Sequence, residues 1–465
     1  MKTRPAIPAL VFLVSITYGA QVARFVQARV RGGATPLPQQ SPPNPQIPGI
    51  HVEVRQVLVP IIVTDAKGHS VLGLRSSDFR VFEDGVEQNI VSFTPEADGA
   101  ARLFLAEPAP AEPGVKPIVP AAEAVGSPDQ TYLVVLDTLN SEFGNFAQVR
   151  GALKSLFSKE ESGSSLYGLV ALSRTLNVVE PLTRDPTTIL GALEDKHFTK
   201  FILESKESSR VLQEIQLRRM LDDYCLKCEC QLNAPGTPIC ENGLEFHRIE
   251  AFAASSGEED AGELRTFLQQ LRGLAAQLGA VPGRRTLILI SDGFTIQPGR
   301  NLFSLIAIYL NDPQILQHNS IPPLDSEVNA LLQMADDRNV VFYTLDSRGV
   351  YVTPPGGIDV TAPPASSNMG PIVMPRIERQ DRLAAVERDD GLVDLAESTG
   401  GLFFGNSNNL LKGLRQALAD GRSYYVLAYN SSNKLADGKF RKIEISVDQK
   451  NVRLRAKRGY WAPAQ

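Results

Sequence analysis

Between residues 131 and 419, short runs of Val, Leu, Ile and Phe alternate with longer stretches in which apolar residues recur every three or four positions. The runs at 132–136, 167–172, 286–290, 340–345 and 401–404 predict strands. The stretches at 146–157, 187–193, 208–224, 263–278, 326–338, 382–398 and 409–419 predict helices. Strands that are apolar throughout and alternate with helices describe an α/β unit: a doubly wound, mostly parallel sheet covered on both faces. Two stretches break the alternation and read as insertions, near 196–260 and 351–375, the second rich in Pro, Gly, Ser and Thr.

The two ends carry a different pattern. Val52, Val54, Val57, Val59, Ile61 and Val63 alternate along 51–64 with a slip near Gln56, and a turn at Asp65, Lys67 and Gly68 follows. Residues 78–83 run into Asp84-Gly85, a hairpin signal, and 89–93 reads as a further strand. At the other end, 423–429, 440–447 and 451–455 read as strands, the last two joined by a turn near Gln449. Neither end has enough strands for a stable sheet of its own. We therefore expect one β-sandwich-like unit built from both ends, burying Val426, Ala428, Ile443 and Ile445, with the α/β unit inserted in it.

The expected organisation is a signal peptide at 1–20, a Pro-rich leader at 21–50 and a β-rich segment at 51–95. An extended linker rich in Ala, Pro and Glu follows at 96–130, then the α/β unit at 131–420 and a β-rich segment at 421–465. The signal reading rests on Lys2 and Arg4, an apolar stretch over 6–16, and the small residues Gly19 and Ala20. Tyr18 sits three residues before a cut after Ala20, so cleavage and a retained anchor both stay open. Export places the protein in the periplasm, envelope or extracellular space.

Composition adds two constraints. Of 465 residues, 43% are apolar and 21% charged, with 52 acidic against 47 basic side chains, so nothing favours nucleic acid or an anionic membrane surface as partner. All four cysteines fall in one window, Cys225, Cys228, Cys230 and Cys240. An exported chain favours disulfides there, with three pairings open, and a zinc knuckle is the rival reading. His247 reads as a solvated loop residue.

Asp137, Asp292 and Asp346 each end or directly follow a predicted parallel strand, where open α/β sheets place their sites. Asp at such junctions also caps helices and turns without binding anything. The segment Leu136, Asp137, Thr138, Leu139, Asn140, Ser141, the strand from Gly168 to Ser173, and Leu289, Ile290, Ser291, Asp292, Gly293 together resemble von Willebrand factor A domains. More narrowly, the chain resembles the bacterial VWFA-related family abundant in acidobacteria. The flanks that carry this narrower likeness are Val63-Thr64-Asp65 through Gly73-Leu74, Asp78-Phe79 to Gln88, Asp437 to Ile443, and Arg458-Gly459-Tyr460.

The resemblance implies a Rossmann-like fold with a metal-ion-dependent adhesion site. Asp137 and Ser141 match the first and fifth positions of its first loop, Asp292 the acid of its third loop, and Thr199 is the candidate for the second-loop threonine. Mg²⁺ or another divalent cation is the implied cofactor. Leu139 departs from the pattern, standing where a serine would supply an oxygen, so the site is degenerate. No nucleophile elbow, zinc-protease helix or phosphate loop is present, and His197, His247 and His318 fall in expected insertions or loops. The reading is a non-enzymatic, exported adhesion-type module that binds a protein or envelope component. A metal-free structural scaffold is the alternative, and a metal-assisted hydrolase using Asp137, Asp292 and Asp346 the remote one.

Overall fold

The central sheet is built around four strands that leave no side chain in water. In the computed structural model, which describes residues 56–97, 118, 130–141, 143–196, 198, 209–228, 244–350 and 387–463, every residue of β5 (Gln130–Asp137), β6 (Leu166–Leu172), β8 (Arg284–Ser291) and β9 (Val340–Asp346) is buried. With β7 (Leu176–Thr183) and β10 (Phe403–Phe404) they form a six-stranded sheet ordered β10-β9-β8-β5-β6-β7. All neighbours are parallel except β7, which returns antiparallel on β6. The protein is thus a mixed α/β molecule with a largely parallel main sheet.

Alternate strand residues feed two separate cores. Leu133, Val135, Leu287 and Leu289 face α4 (Leu244–Leu278), α6 (Asp325–Asp337) and α7 (residues 387–399). Tyr132, Val134, Leu136, Ile288 and Ile290 face α1 (Phe146–Phe157), α2 (Pro186–Glu194) and α8 (Leu410–Arg422). Local signals start these helices: Asp185 caps α2 through the Thr187 amide at 2.9 Å with Pro186 behind it, and Asn409 caps α8 through Lys412 N at 3.1 Å.

The strands of the two ends share two four-stranded antiparallel sheets. One is ordered β13-β1-β11-β4, from β1 (Gln56–Asp65), β4 (Ile90–Ala97), β11 (Ser423–Asn430) and β13 (Val452–Ala456). The other is ordered β14-β12-β2-β3, from β2 (Phe79–Glu83), β3 (Val86–Gln88), β12 (Phe440–Val447) and β14 (Gly459–Trp461). Val57, Val59, Ile61, Val63, Phe79, Val81, Tyr425, Leu427, Tyr429, Ile443 and Tyr460 form one cluster between them. Asp84 and Gly85, both at positive φ (48° and 80°), make the two-residue turn of the β2–β3 hairpin. Inside this cluster the buried Glu83 carboxylate accepts hydrogen bonds from Tyr429 Oη at 2.8 Å, Tyr460 Oη at 3.0 Å and Ser431 Oγ at 2.6 Å.

The sequence-based face of β11 was wrong by one residue. Val426 does not point into this cluster; it joins Ile62 and Tyr424 on the opposite face, while Tyr425, Leu427 and Tyr429 point inward. That opposite face meets the base of the α/β unit, where the Arg284 guanidinium lies 4.1 Å from the centre of the Tyr424 ring. Arg455 pairs with buried Asp420 at 2.7 Å and Lys457 with Asp336 at 2.5 Å, and α8 runs into β11 with no intervening loop. The paired sheets therefore hold the amino ends of the parallel strands, and the carboxyl ends point away.

Other expectations need correction too. In the insertion near 196–260 the helix expected over 208–224 is present as α3 (Ser209–Cys228), but α4 begins at Leu244 instead of residue 263, so His247 lies on a helix and not in a loop. The reason is a buried stripe that runs on from Ile249 through Ala253, Ser256, Gly257, Asp260 and Ala261, and after Ile249 its residues are too small or polar to read as a core face. Strand β7, helix α5 (Arg300–Leu310) and a 3-10 turn at Pro313–His318 were not anticipated. Within the expected linker, Ile118 is fully buried in the core, its amide donating to Gln277 Oε1 at 3.2 Å and its carbonyl accepting from Leu182 N at 3.0 Å. The leader, the remainder of the linker over 98–129, Thr199, His197, Cys230, Cys240 and the insertion at 351–375 lie outside the described residues.

Helix α4 gives the molecule its reach. At about 1.5 Å per residue its 35 residues span roughly 52 Å, whereas an eight-residue strand spans roughly 26 Å. A short turn joins Leu278 to Arg284 at the base, so α4 runs antiparallel to β8 and its first half projects beyond the strands' carboxyl ends. There it packs with α3 and α5 around Leu217, Leu221, Ile249, Phe303 and Ile306. Gly257 permits this: a Cβ on it would stand 2.8 Å from Gly299 Cα, so α4 and the loop before α5 touch backbone to backbone.

Candidate functional site

The carboxyl edge of the sheet gathers three loops, those after β5, β8 and β9. Asp137, the last residue of β5, is only 2% exposed, yet both its oxygens are satisfied. Oδ1 accepts the amides of Leu139 at 3.0 Å and Asn140 at 2.9 Å; Oδ2 accepts Asn140 Nδ2 at 2.9 Å and Ser291 Oγ at 2.6 Å. Burial pushes its carboxyl above the ordinary range, while these donors pull it back. The amide contacts make a tight Asx-type turn, and Thr138 Oγ1 anchors it by donating to Leu172 O at 2.7 Å. Leu139, at the turn's apex, packs against the core beneath.

Asp292 occupies the loop after β8. Its amide donates to Ser141 Oγ at 3.0 Å, its Oδ2 accepts Asn145 Nδ2 at 2.9 Å, and its Oδ1 accepts the Ser347 hydroxyl. Next to it, Gly293 is at φ 85° and a Cβ there would lie 2.7 Å from Arg388 O, because the start of α7 is drawn in by the Phe294 amide donating to that carbonyl at 3.1 Å. In the loop after β9, the fully buried Asp346 accepts Arg348 N at 3.0 Å and Arg348 Nε at 2.9 Å, and the same guanidinium reaches Asp389 on α7. Burial pushes Asp389 up to about 6, Arg348 opposing it and Asp346 and Asp390 adding to it.

The structure therefore brings Asp137, Ser141 and Asp292 together, with Asp346 on the adjacent strand end, while Thr199 is outside the described residues. Sequence reasoning missed Asn140, Asn145, Ser291, Ser347 and Asp389. The first four are hydrogen-bond donors to carboxylates placed within a few residues of the acids, which is the signal that was there to find.

A hard divalent cation needs several oxygens whose lone pairs converge on one point. Here each oxygen of Asp137 already faces two protein donors, each oxygen of Asp292 faces at least one, and the middle position of the first loop is a leucine, partly buried against the core. Among the described residues no group of three His, Cys, Asp or Glu side chains is placed to hold a metal. The residues present do not fit the implied cation. The described histidines lie elsewhere, His69 against Asp65 and both His247 and His318 against Glu250.

No family model matches the chain, and no curated protein matches it. Among solved structures it is similar to an aerotolerance-related membrane protein from Bacteroides fragilis, at 12% identity over 62% of this chain and 98% of that one, with a TM-score of 0.26. It is similar also to BatB from Bacteroides thetaiotaomicron, at 12% identity over 63% and 98%, TM-score 0.22. A third is the PilB minor pilin from Streptococcus sanguinis, at 10% identity over 63% of each chain, TM-score 0.26. Scores this low define neither a family nor a function. No helix among the described residues is long and apolar enough to cross a membrane.

Proposed function

We propose that this chain is an exported binding module of the cell envelope, in which a von Willebrand factor A-like α/β unit offers the carboxyl edge of its sheet to a protein partner. The observation that carries the reading is placement. The paired β-sheets clamp the base of the α/β unit through Arg284–Tyr424, Arg455–Asp420 and Lys457–Asp336, so the loops after β5, β8 and β9 stand at the far end. The projecting half of α4 rises beside those loops. Val350, 44% exposed in the β9 loop, and Leu316, 40% exposed on the 3-10 turn, leave apolar side chains in water in this region. Export is supported by the charged and apolar pattern of the first twenty residues and by the cysteine window, in which neither Cys225 nor Cys228 is a free thiol.

Among the described residues the same edge offers little to catalysis, since its acids are each tied to hydrogen-bond donors and the serines that donate to them, Ser291 and Ser347, are buried away from any substrate. A metal-free scaffold of the envelope is the second reading, favoured by Leu139 and by the satisfied carboxylates. In that case the β-sheets and the cysteine-bearing insertion make the contacts. Site-specific photo-crosslinking in cells that make the protein separates the two. A crosslinker replacing Val350 should give a discrete adduct, and one replacing Val86, 57% exposed on β3, should not. Adducts from position 86 alone would favour the scaffold and reject the edge.

A further inference from the structure

We infer that Asp292 does at this edge the mechanical work of a bound cation: it clasps the three loops into one rigid surface, and the clasp needs no metal. The inference concerns the edge itself and holds whether or not a protein partner docks there.

The connectivity is that of a cross-link. Through its amide and Oδ2, Asp292 holds Ser141 and Asn145 of the first loop, and through Oδ1 it holds Ser347 of the loop after β9. A second hub sits beneath it. Asp137 binds its own loop through Leu139 N, Asn140 N and Asn140 Nδ2, and ties that loop to β8 through Ser291 Oγ, which in turn accepts the Gly293 amide at 3.0 Å. Ser347 N donates to Ser291 O at 3.0 Å, closing the circuit between the second and third loops.

A bridging cation would join such loops by drawing their oxygens to one centre. Here the oxygens of one loop face N–H and O–H groups of another, so the complementary charge comes from donors within the chain. Hydrogen bonds to ionised carboxylates are stronger than neutral ones, and strengthen again where water is excluded, as at Asp137. The residues linked lie far apart in sequence, so removing the hub should loosen two loops together.

Hydrogen exchange of the full-length chain tests this. For the native protein, protection of residues 138–145 and 347–350 should be the same in chelator as in millimolar Mg²⁺ or Mn²⁺. Asp292→Ala should speed exchange in both loops by about tenfold or more while the core strands keep their protection. Asn145→Ala and Ser347→Ala, which each remove one outlying partner, should each loosen mainly their own loop; they keep the test open should Asp292→Ala fail to fold. Leu139→Ser restores the missing hydroxyl and should still give no response to metal. The inference is overturned by metal-dependent protection in the native protein or in Leu139→Ser. It is equally overturned by saturable Mn²⁺ binding that Asp137→Ala abolishes, or by loops that stay as protected as before in all three clasp variants.

Discussion

Replacing Gly293 by alanine should undock α7 from the carboxyl edge, and two independent costs set the size of the effect. At φ 85° an L-residue pays roughly 1–2 kcal/mol for left-handed backbone. The added Cβ would also stand 2.7 Å from Arg388 O and 2.9 Å from Arg388 C and Cβ, and the first two of these are backbone atoms that no rotamer change can move aside. Overlap of that kind costs on the order of 1–3 kcal/mol. Together they predict about 2–5 kcal/mol, or roughly a thirtyfold to several-thousandfold loss of exchange protection over residues 387–399. Gly273→Ala is the matched control. It lies within α4 with nothing inside 4 Å of its would-be Cβ, and should stabilise by about 0.5–1 kcal/mol through helix propensity. If Gly293→Ala leaves α7 as protected as in the native chain, or if both substitutions act in the same direction, the account of this loop is wrong.

Glu83→Gln should destabilise the paired sheets by about 1–3 kcal/mol, because three hydroxyls that now donate to a buried carboxylate would face an amide able to accept through only one oxygen. Chemical unfolding followed by Trp461, the only tryptophan and a residue of β14, reports on it directly. Asp389 should make the edge pH-sensitive with a definite sign. Burial raises its folded value from the ordinary 3.8 to about 6, so between those limits the folded state binds more protons than the unfolded. Its contribution is therefore most favourable below about pH 4 and falls as pH rises to about 6, and Asp389→Asn should flatten that part of the protection profile of residues 387–399. Finally, thiol titration of the denatured, unreduced protein should find none of the four cysteines free. Four free thiols with one zinc per chain would establish the zinc knuckle instead.

What could be read from the sequence follows burial closely. Residues 132–136, 286–290 and 340–345 announced themselves as strands because both faces of each are covered, which leaves mostly apolar side chains to see. Strand β7 was invisible for the opposite reason: it is a half-exposed edge containing Pro181, and edge strands carry little pattern. The early part of α4 hid behind Ala253, Ser256, Gly257 and Asp260, whose small or polar side chains let α5 and the Gly299 loop come close. On β11 the strand was legible and its orientation was not. Tyr424 to Ala428 are all buried, so alternation cannot say which half faces Tyr460 and which faces Arg284.

At the carboxyl edge, spacing along the chain was enough to bring Asp137, Ser141 and Asp292 to one place, because each follows a parallel strand of one sheet. It was not enough to say what they do there. Matching a loop position by position assumes that the middle residue of the loop points outward, and the amides of Leu139 and Asn140 falsify that assumption by folding back on Asp137 Oδ1. The turn they make lays Leu139, partly buried, against the core, where an apolar side chain is stabilising. The identity of residue 139 is thus a consequence of the turn, and the turn is a consequence of Asp137 taking amides as its partners. Asn140, Asn145, Ser291 and Ser347 complete the pattern: their N–H and O–H groups are turned toward the carboxylates, whereas at a cation site the oxygens of such side chains would converge with the carboxylates on one point.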